Sequence, residues 1–236
     1  MSTLFVADIH LCDKTDTITA GFLHLLRNYV PGTQALYILG DLFDIWIGDD
    51  EASQLHIIIA AALKILTEGG VPCYFIHGNR DFLLGHNYAA ACGMTLLPTK
   101  QVLEVSGWRV VILHGNILCT DDAIYQIYRH QVHQRWLQKL FLRLPLSVRR
   151  RLANHICANS MNMLMNNKLQ EVVTVLAHKR AHIMIHGHTH RPAIHQLFNN
   201  TIGKYQRAVL GCWHNNGSVI EVSTAGVKLL EFSFHA

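Results

Sequence analysis

The chain lacks any apolar run approaching the ~20 residues that a membrane-spanning helix needs. It is also poor in charge, with 15% Asp, Glu, Lys and Arg against 50% hydrophobic residues over 236 positions. That balance excludes a disordered tail, a collagen-like repeat and a long coiled coil. The opening MSTLFVADIH has no basic start and meets Asp8 after a short apolar run, so no secretory leader is expected. No C-x-x-C pair occurs among Cys12, Cys73, Cys92, Cys119, Cys157 and Cys212, which read as reduced and mostly packing residues rather than a disulfide framework or zinc site. Internal repeats, low-complexity tracts and Gly/Ser linkers are missing too, which favours one large domain with an insertion. Histidine is what the chain has in excess, with 17.

Short apolar runs alternate with helical periods. Residues 3–7, 35–39 and 73–76 read as buried strands, followed by helices expected over 17–29, 53–68 and 82–91. This βαβ rhythm belongs to a layered α/β domain. A hairpin is expected for 102–105 and 109–113 around Ser106-Gly107, then a mostly helical stretch from Asp121 to about Lys179, broken near Leu144-Pro145. Strands resume at 182–185, 194–198, 206–210, 218–222 and 227–232. The organisation is one domain over 1–236, with a helical, basic cap inserted at 121–180.

Charge is unevenly spread. Between Ala123 and Gln170 lie Arg129, Arg135, Lys139, Arg143, Arg149, Arg150, Arg151 and Lys168, and no acid. Trp136, Leu137, Leu140, Phe141, Leu142 and Leu152 alternate with these bases, making the stretch amphipathic. A charge run is usually a solvated face. The absence of acids over such a length tilts the reading toward an anionic partner, either phosphate groups or an acidic lipid surface.

Residues of metal-ligand type stand at the ends of the expected strands: Asp8-Ile9-His10, Gly40-Asp41-Leu42-Phe43-Asp44, Gly78-Asn79-Arg80-Asp81, His114-Gly115-Asn116 and Gly187-His188-Thr189-His190. Period-2 geometry would put Asp8 and His10 on one face as their strand ends. A lone D-x-H is common by chance, and a lone strand-end histidine is more often a hydrogen-bonded structural residue. Five such sites at equivalent positions are not, because α/β ligands collect at the carboxyl ends of strands. Carboxylate, imidazole and amide without thiolate suit Mn²⁺, Mg²⁺ or Fe²⁺ and disfavour structural zinc. The donors are too many for one ion and suffice for two if one carboxylate bridges.

The order D-x-H, GD-x-x-D, GN-x-D, HG and GH-x-H resembles the calcineurin-like metallophosphoesterase superfamily. The strings FVADIHL, ALYILGDLFDIWIGDD, GVPCYFIHGNRDFLLG, LCTDD, IHGHTHRPAIH and VLGCWHNNGS are similar, essentially end to end, to its UDP-2,3-diacylglucosamine pyrophosphatase family. The resemblance implies a layered αββα sandwich with a helical cap insertion. It implies two Mn²⁺ ions per chain, one held by Asp8, His10, Asp41 and His190, the other by Asp41, Asn79, His114 and His188. A metal-bound hydroxide would attack the uridine-proximal phosphorus of UDP-2,3-diacylglucosamine, giving UMP and 2,3-diacylglucosamine 1-phosphate (lipid X) for lipid A synthesis. Asp41, Asn79, Arg80 and His114 would be catalytic, and Asn79, Arg80, Asp122, Ser160, Lys168 and His188 would touch substrate. The apolar side of the cap would shelter acyl chains and its bases would rest against anionic headgroups, making the enzyme peripheral at the cytoplasmic face of the inner membrane; a monomer with no nucleic-acid partner is expected.

Two departures matter. The wider superfamily usually has histidine after the GN asparagine, a proton donor for an alkoxide leaving group, whereas this chain has Arg80. A guanidinium cannot give up its proton at working pH but can fork onto phosphoryl oxygens, so a phosphate leaving group, already a weak base, suits it better. Asn116 stands where the family commonly has aspartate, and tuning rather than loss of activity is expected. Other phosphoester hydrolases and a metal-free interaction scaffold are the competing readings. Arg80 and a cap rich in aliphatics rather than stacking aromatics argue against nucleic acid, and the complete ligand set argues against the scaffold.

Overall fold

A computed structural model of the protein describes residues 2–118, 130–160, 169–200 and 203–234. The first half alternates β1 (Thr3–Val6), α1 (Asp16–Asn28), β2 (Ala35–Ile38), α2 (Gln54–Glu68), β3 (Cys73–Phe75), α3 (His86–Cys92) and β4 (Met94–Leu96). The four strands run parallel in that order. A hairpin of β5 (Lys100–Val105) and β6 (Trp108–Leu113) begins the second sheet. Helices α4 (Arg135–Leu142), α5 (Leu146–Ser160) and α6 (Leu169–Lys179) precede β7 (Ile183–His186), β8 (Ala193–Asn199) and β9 (Gly203–Val209). The last two strands, β10 (Asn216–Ser223) and β11 (Gly226–Ser233), return to the first sheet, antiparallel beside β1. The sheets therefore read β11-β10-β1-β2-β3-β4 and β5-β6-β7-β9-β8.

Strand sequence explains the layering. Leu4 and Val6 of β1, Leu36 and Ile38 of β2 and Phe75 of β3 share a core with Phe22, Leu25, Ile59 and Leu63 of α1 and α2. The alternate residues Phe5, Ala35 and Tyr37 face the second sheet and meet Val110, Ile112, Ile183 and Ile185. The outer face of that sheet, with Val111, Leu113 and Met184, is covered by Val172, Val173 and Leu176 of α6. Strands buried on both faces need apolar residues throughout, which is why they read as continuous runs. The result is the expected four-layer αββα arrangement.

One strand is unforeseen and two expectations need revision. β4 carries no alternating signature and its three residues add parallel to β3 at a sheet edge, where length gives sequence periodicity nothing to detect. The helix expected over 82–91 starts at His86, because the extended Gly85 stands at its cap and the Asp49 carboxylate accepts the Gly85 and Tyr88 N–H groups at 2.7 and 3.1 Å. β1 stops at Val6, before the D-x-H motif, so period-2 geometry is not what brings Asp8 and His10 together.

Between β6 and β7 the helices behave differently. Pro145 separates α4 from α5, as the sequence suggests. α4 buries none of its residues, and Trp136, Leu140 and Leu142 on it, with Val148 and Leu152 on α5, are exposed. One buried arginine ties this pair to the core. Arg149 donates to the Ile47 carbonyl at 2.7 Å and to the Leu144 carbonyl at 2.9 Å, and forks onto the Asp50 carboxylate.

Candidate metal centre

Seven non-glycine residues among those described have positive φ, and five of them are Asp8, His10, Asp41, His188 and His190, at 53–70°. Left-handed backbone is sterically unfavourable for such residues, and it persists only where surrounding structure enforces it. The enforcement is visible. The Asp8 N–H donates to the Gly40 carbonyl and the His10 N–H to the Asp41 carbonyl, so the turns after β1 and β2 hold each other. Each turn brings its side chain to the carboxyl ends of the strands, and this is how Asp8 and His10 come to share a side.

Glycines give the carboxylates room. A Cβ on Gly78 would stand 2.1 Å from Asp41 Oδ1, and one on Gly187 would stand 2.2 Å from Asp8 Oδ2. With both positions bare, the Arg80 N–H donates to Asp41 Oδ1 at 2.8 Å and the His188 N–H to Asp8 Oδ2 at 2.8 Å. Asp81, fully buried, accepts from Gly78 N–H and Leu42 N–H at 2.9 and 2.7 Å, which pins the β2 and β3 loops together.

The donors fall into two groups around Asp41. Asp8, His10 and Asp41 each offer an atom within 4.8 Å of the others, and His190 Nε2 lies 3.5 Å from Asp8 Oδ1. On the other side, Asn79 Oδ1 meets His114 Nε2 and His188 Nδ1 at 2.9 Å each. Asp41 Oδ2 is 3.6 Å from His114 Nε2 and 3.9 Å from His10 Nε2, between the groups. His114 Nδ1 contacts the Leu39 carbonyl at 2.7 Å, a bond that fixes the hydrogen on Nδ1 and turns the Nε2 lone pair toward Asp41 and Asn79. Oxygen and nitrogen donors to a metal thus converge on both sides of Asp41, as a pair of divalent ions would require. Asp8 Oδ1 and both ring nitrogens of His10 are buried without a hydrogen bond, and this too fits divalent ions.

Titration behaviour follows the same geometry. Burial opposes ionisation of Asp8, but His190, His114 and His10 overcome it and hold the carboxyl at about 2. Burial likewise opposes a charged His10, yet the Cys212 sulfur and the Asp41 and Asp8 carboxylates lift its ring to about 9. His190 rises to about 10, chiefly through Asp8. Burial, then repulsion by His114, pushes His188 well below the ordinary imidazole value. Burial and the neighbouring Asp41 charge raise Asp81 to about 6. Protons on His10 and His190 thereby balance a charge that a bound cation would otherwise balance.

The calcineurin-like phosphoesterase family profile matches residues 1–192. The chain belongs to that family. Curated relatives are similar along the whole length: UDP-2,3-diacylglucosamine hydrolases from Sodalis glossinidius (60% identical, covering 99% of both chains) and Shigella sonnei (52%, 99% of this chain and 100% of the relative). This phosphoesterase is therefore also a member of the UDP-2,3-diacylglucosamine hydrolase family. An archaeal phosphodiesterase of solved structure shares the fold at 10% identity, with a TM-score of 0.50 over 99% of each chain. The family implies a dinuclear metal site.

Within the phosphoesterase, Asp8, His10, Asp41, Asn79, His114, His188 and His190 gather at the carboxyl ends of the strands. Arg80 follows Asn79 there, half-buried, with its N–H on Asp41. Asn116 is buried at the start of a short 3₁₀ turn, two residues past His114. Asp122 and Lys168 lie outside the described residues, and Ser160 closes α5 with its side chain outside them. Cys212 is the residue that sequence reasoning missed. In sequence it reads as one of the mostly packing cysteines, but its sulfur forms a group with His10 and His190 in which the donor atoms lie within 4.8 Å of one another. Burial raises its thiol and the two imidazoles more than reverse this, leaving it below the ordinary value. A signal existed in Gly211-Cys212, which repeats after β9 the glycine-plus-donor pattern of the other strand ends.

Proposed function

We propose that this phosphoesterase hydrolyses the pyrophosphate of UDP-2,3-diacylglucosamine to UMP and 2,3-diacylglucosamine 1-phosphate (lipid X), a step of lipid A biosynthesis. The observation that carries the reading is Asp41, a single carboxylate in left-handed backbone that faces donors of both groups at once. Asp8, His10, Asp41 and His190 would hold one Mn²⁺, and Asp41, Asn79, His114 and His188 the second. When bound, the ion pair supplies an ionised water as nucleophile and neutralises charge on the phosphoryl oxygens. The substrate assignment is supported by full-length relatives of that name at 52–60% identity.

The chain's own groups do the remaining work. Asp81 and the Gly40 and Gly187 turns hold the carboxylates rigidly, so little reorganisation accompanies the reaction. His114, oriented by the Leu39 carbonyl, and Asn79 fix the second group. Arg80, Asn79 and His188 would contact the phosphoryl oxygens. Arg80 stays charged throughout and delivers no proton, which suits a phosphate leaving group and in-line attack on the uridine-proximal phosphorus. Asp122, Ser160 and Lys168 would reach the glucosamine and its phosphate.

The exposed apolar face of α4, interleaved with Arg135, Lys139 and Arg143, would rest on acyl chains and anionic headgroups at the cytoplasmic face of the inner membrane. No helix among the described residues is long and apolar enough to cross a membrane; the association would be peripheral and the enzyme a monomer. Hydrolysis of UDP-2,3-diacylglucosamine in ¹⁸O-water with Mn²⁺ tests the reading. Metal-dependent formation of both products with the label in UMP is expected. Label in the lipid product would overturn the site of attack, and no turnover by metal-loaded protein would overturn the substrate.

A further inference from the structure

The turn after β9 brings sulfur to the centre, and the hydrolysis described above makes no use of it. The Trp213 N–H donates to the Asp8 carbonyl at 3.1 Å, and the Gly211 N–H to Ser218 Oγ at 2.9 Å. Trp213 itself is fully buried, with its ring against Phe22, Phe232 and Phe234. Cys212, between these anchors, is therefore fixed relative to the Asp8 turn. Its sulfur shares a 4.8 Å group with His10 and His190, and His10 is also a member of the group with Asp8 and Asp41. Neither ring nitrogen of His10 has a hydrogen bond, although both are buried.

We propose that Cys212 is a sulfur donor to the first metal position, where it joins His10 and His190 and makes that half of the centre selective for thiophilic divalent ions. The inference rests on the dinuclear reading of the site. Metal–nitrogen bonds of about 2.0 Å and metal–sulfur bonds of about 2.3 Å allow donors on one ion to stand up to roughly 4.3 Å apart, so a small side-chain rotation lets the three share an ion. Binding releases the thiol proton to the buffer and leaves oxidation states unchanged. Thiolate favours Zn²⁺, Co²⁺ and Cd²⁺, whereas Mn²⁺ gains little from it. The second position, with Asp41, Asn79, His114 and His188, has only oxygen and nitrogen donors among the residues assigned to it.

The test is a Co²⁺ titration of metal-free full-length protein followed by absorbance, with Cd²⁺ and Mn²⁺ affinities measured in parallel. Wild type is expected to show visible cobalt d–d bands and a near-ultraviolet sulfur-to-cobalt band. Cys212→Ala and Cys212→Ser should keep the visible bands, lose the sulfur band and bind Cd²⁺ at least about tenfold more weakly, with Mn²⁺ affinity little changed. Cys12→Ala should retain everything. A wild-type protein with visible bands and no sulfur band, or a sulfur band that survives in Cys212→Ala, overturns the proposal and leaves the dinuclear reading standing. Absence of all cobalt bands overturns both.

Discussion

The metal centre and the α4–α5 pair are held in opposite ways. The centre is fixed by backbone: left-handed turns bonded to each other, carboxylates seated over bare glycines and a buried Asp81 tying two loops. Among the side chains described, the helices bury little and lean on the core through Arg149 and the exposed Arg150–Glu51 pair. A reacting centre needs positions accurate to a fraction of an ångström, which closely packed backbone supplies. A surface that would receive two acyl chains instead needs apolar area free of other partners, and α4 keeps such area exposed.

The largest effect should come from filling the space around the carboxylates. Gly187→Ala places a methyl within 2.2 Å of Asp8 Oδ2 and should lower kcat by at least about 10³-fold with loss of bound metal, measured by turnover and metal analysis. Cutting the tether of the helices should matter less. Arg149→Met strips the buried Ile47 carbonyl and the half-buried Leu144 carbonyl of their donor and should cost about 2 kcal/mol in denaturant unfolding, whereas Asp50→Asn, which leaves those carbonyl bonds intact, should cost clearly less.

Smaller still is the effect on the exposed face. Trp136→Ser with Leu140→Ser should raise KM for a diacyl substrate in mixed micelles by about tenfold, with Tm unchanged because these side chains support no core. The smallest effect is one of pH. Arg149 holds the Asp50 carboxyl below its ordinary value of 3.8. A lowered pKa gives stability that is present above the ordinary value and lost as pH falls through the folded one. The Tm gap between wild type and Asp50→Asn should therefore hold at neutral pH and close in acid below 3.8.

Much of the centre was legible because its residues are punctuated by strand ends and glycines. GD, GN, HG and GH each follow an apolar run, and the layering follows from strands that are apolar on both faces. The reason Asp8 and His10 converge was not legible, since left-handed backbone at a non-glycine residue leaves no mark in composition. Cys212 escaped for a related reason. It stands alone in sequence, and only the pairing of β9 with β7 brings its turn to the same edge. The start of α3 was likewise hidden, because the carboxylate that accepts its first N–H groups belongs to Asp49, 37 residues upstream of His86. β4 was too short to announce itself.

The most direct test is to load metal-free protein with Mn²⁺ alone, then count the ions and their magnetic coupling by equilibrium dialysis and electron paramagnetic resonance. With Asp41 shared, two ions per chain in an exchange-coupled signal are predicted, and an uncoupled signal at reduced occupancy is predicted in Asp41→Ala. One ion per chain, or two that remain magnetically independent in the wild type, would contradict a centre built around that single carboxylate.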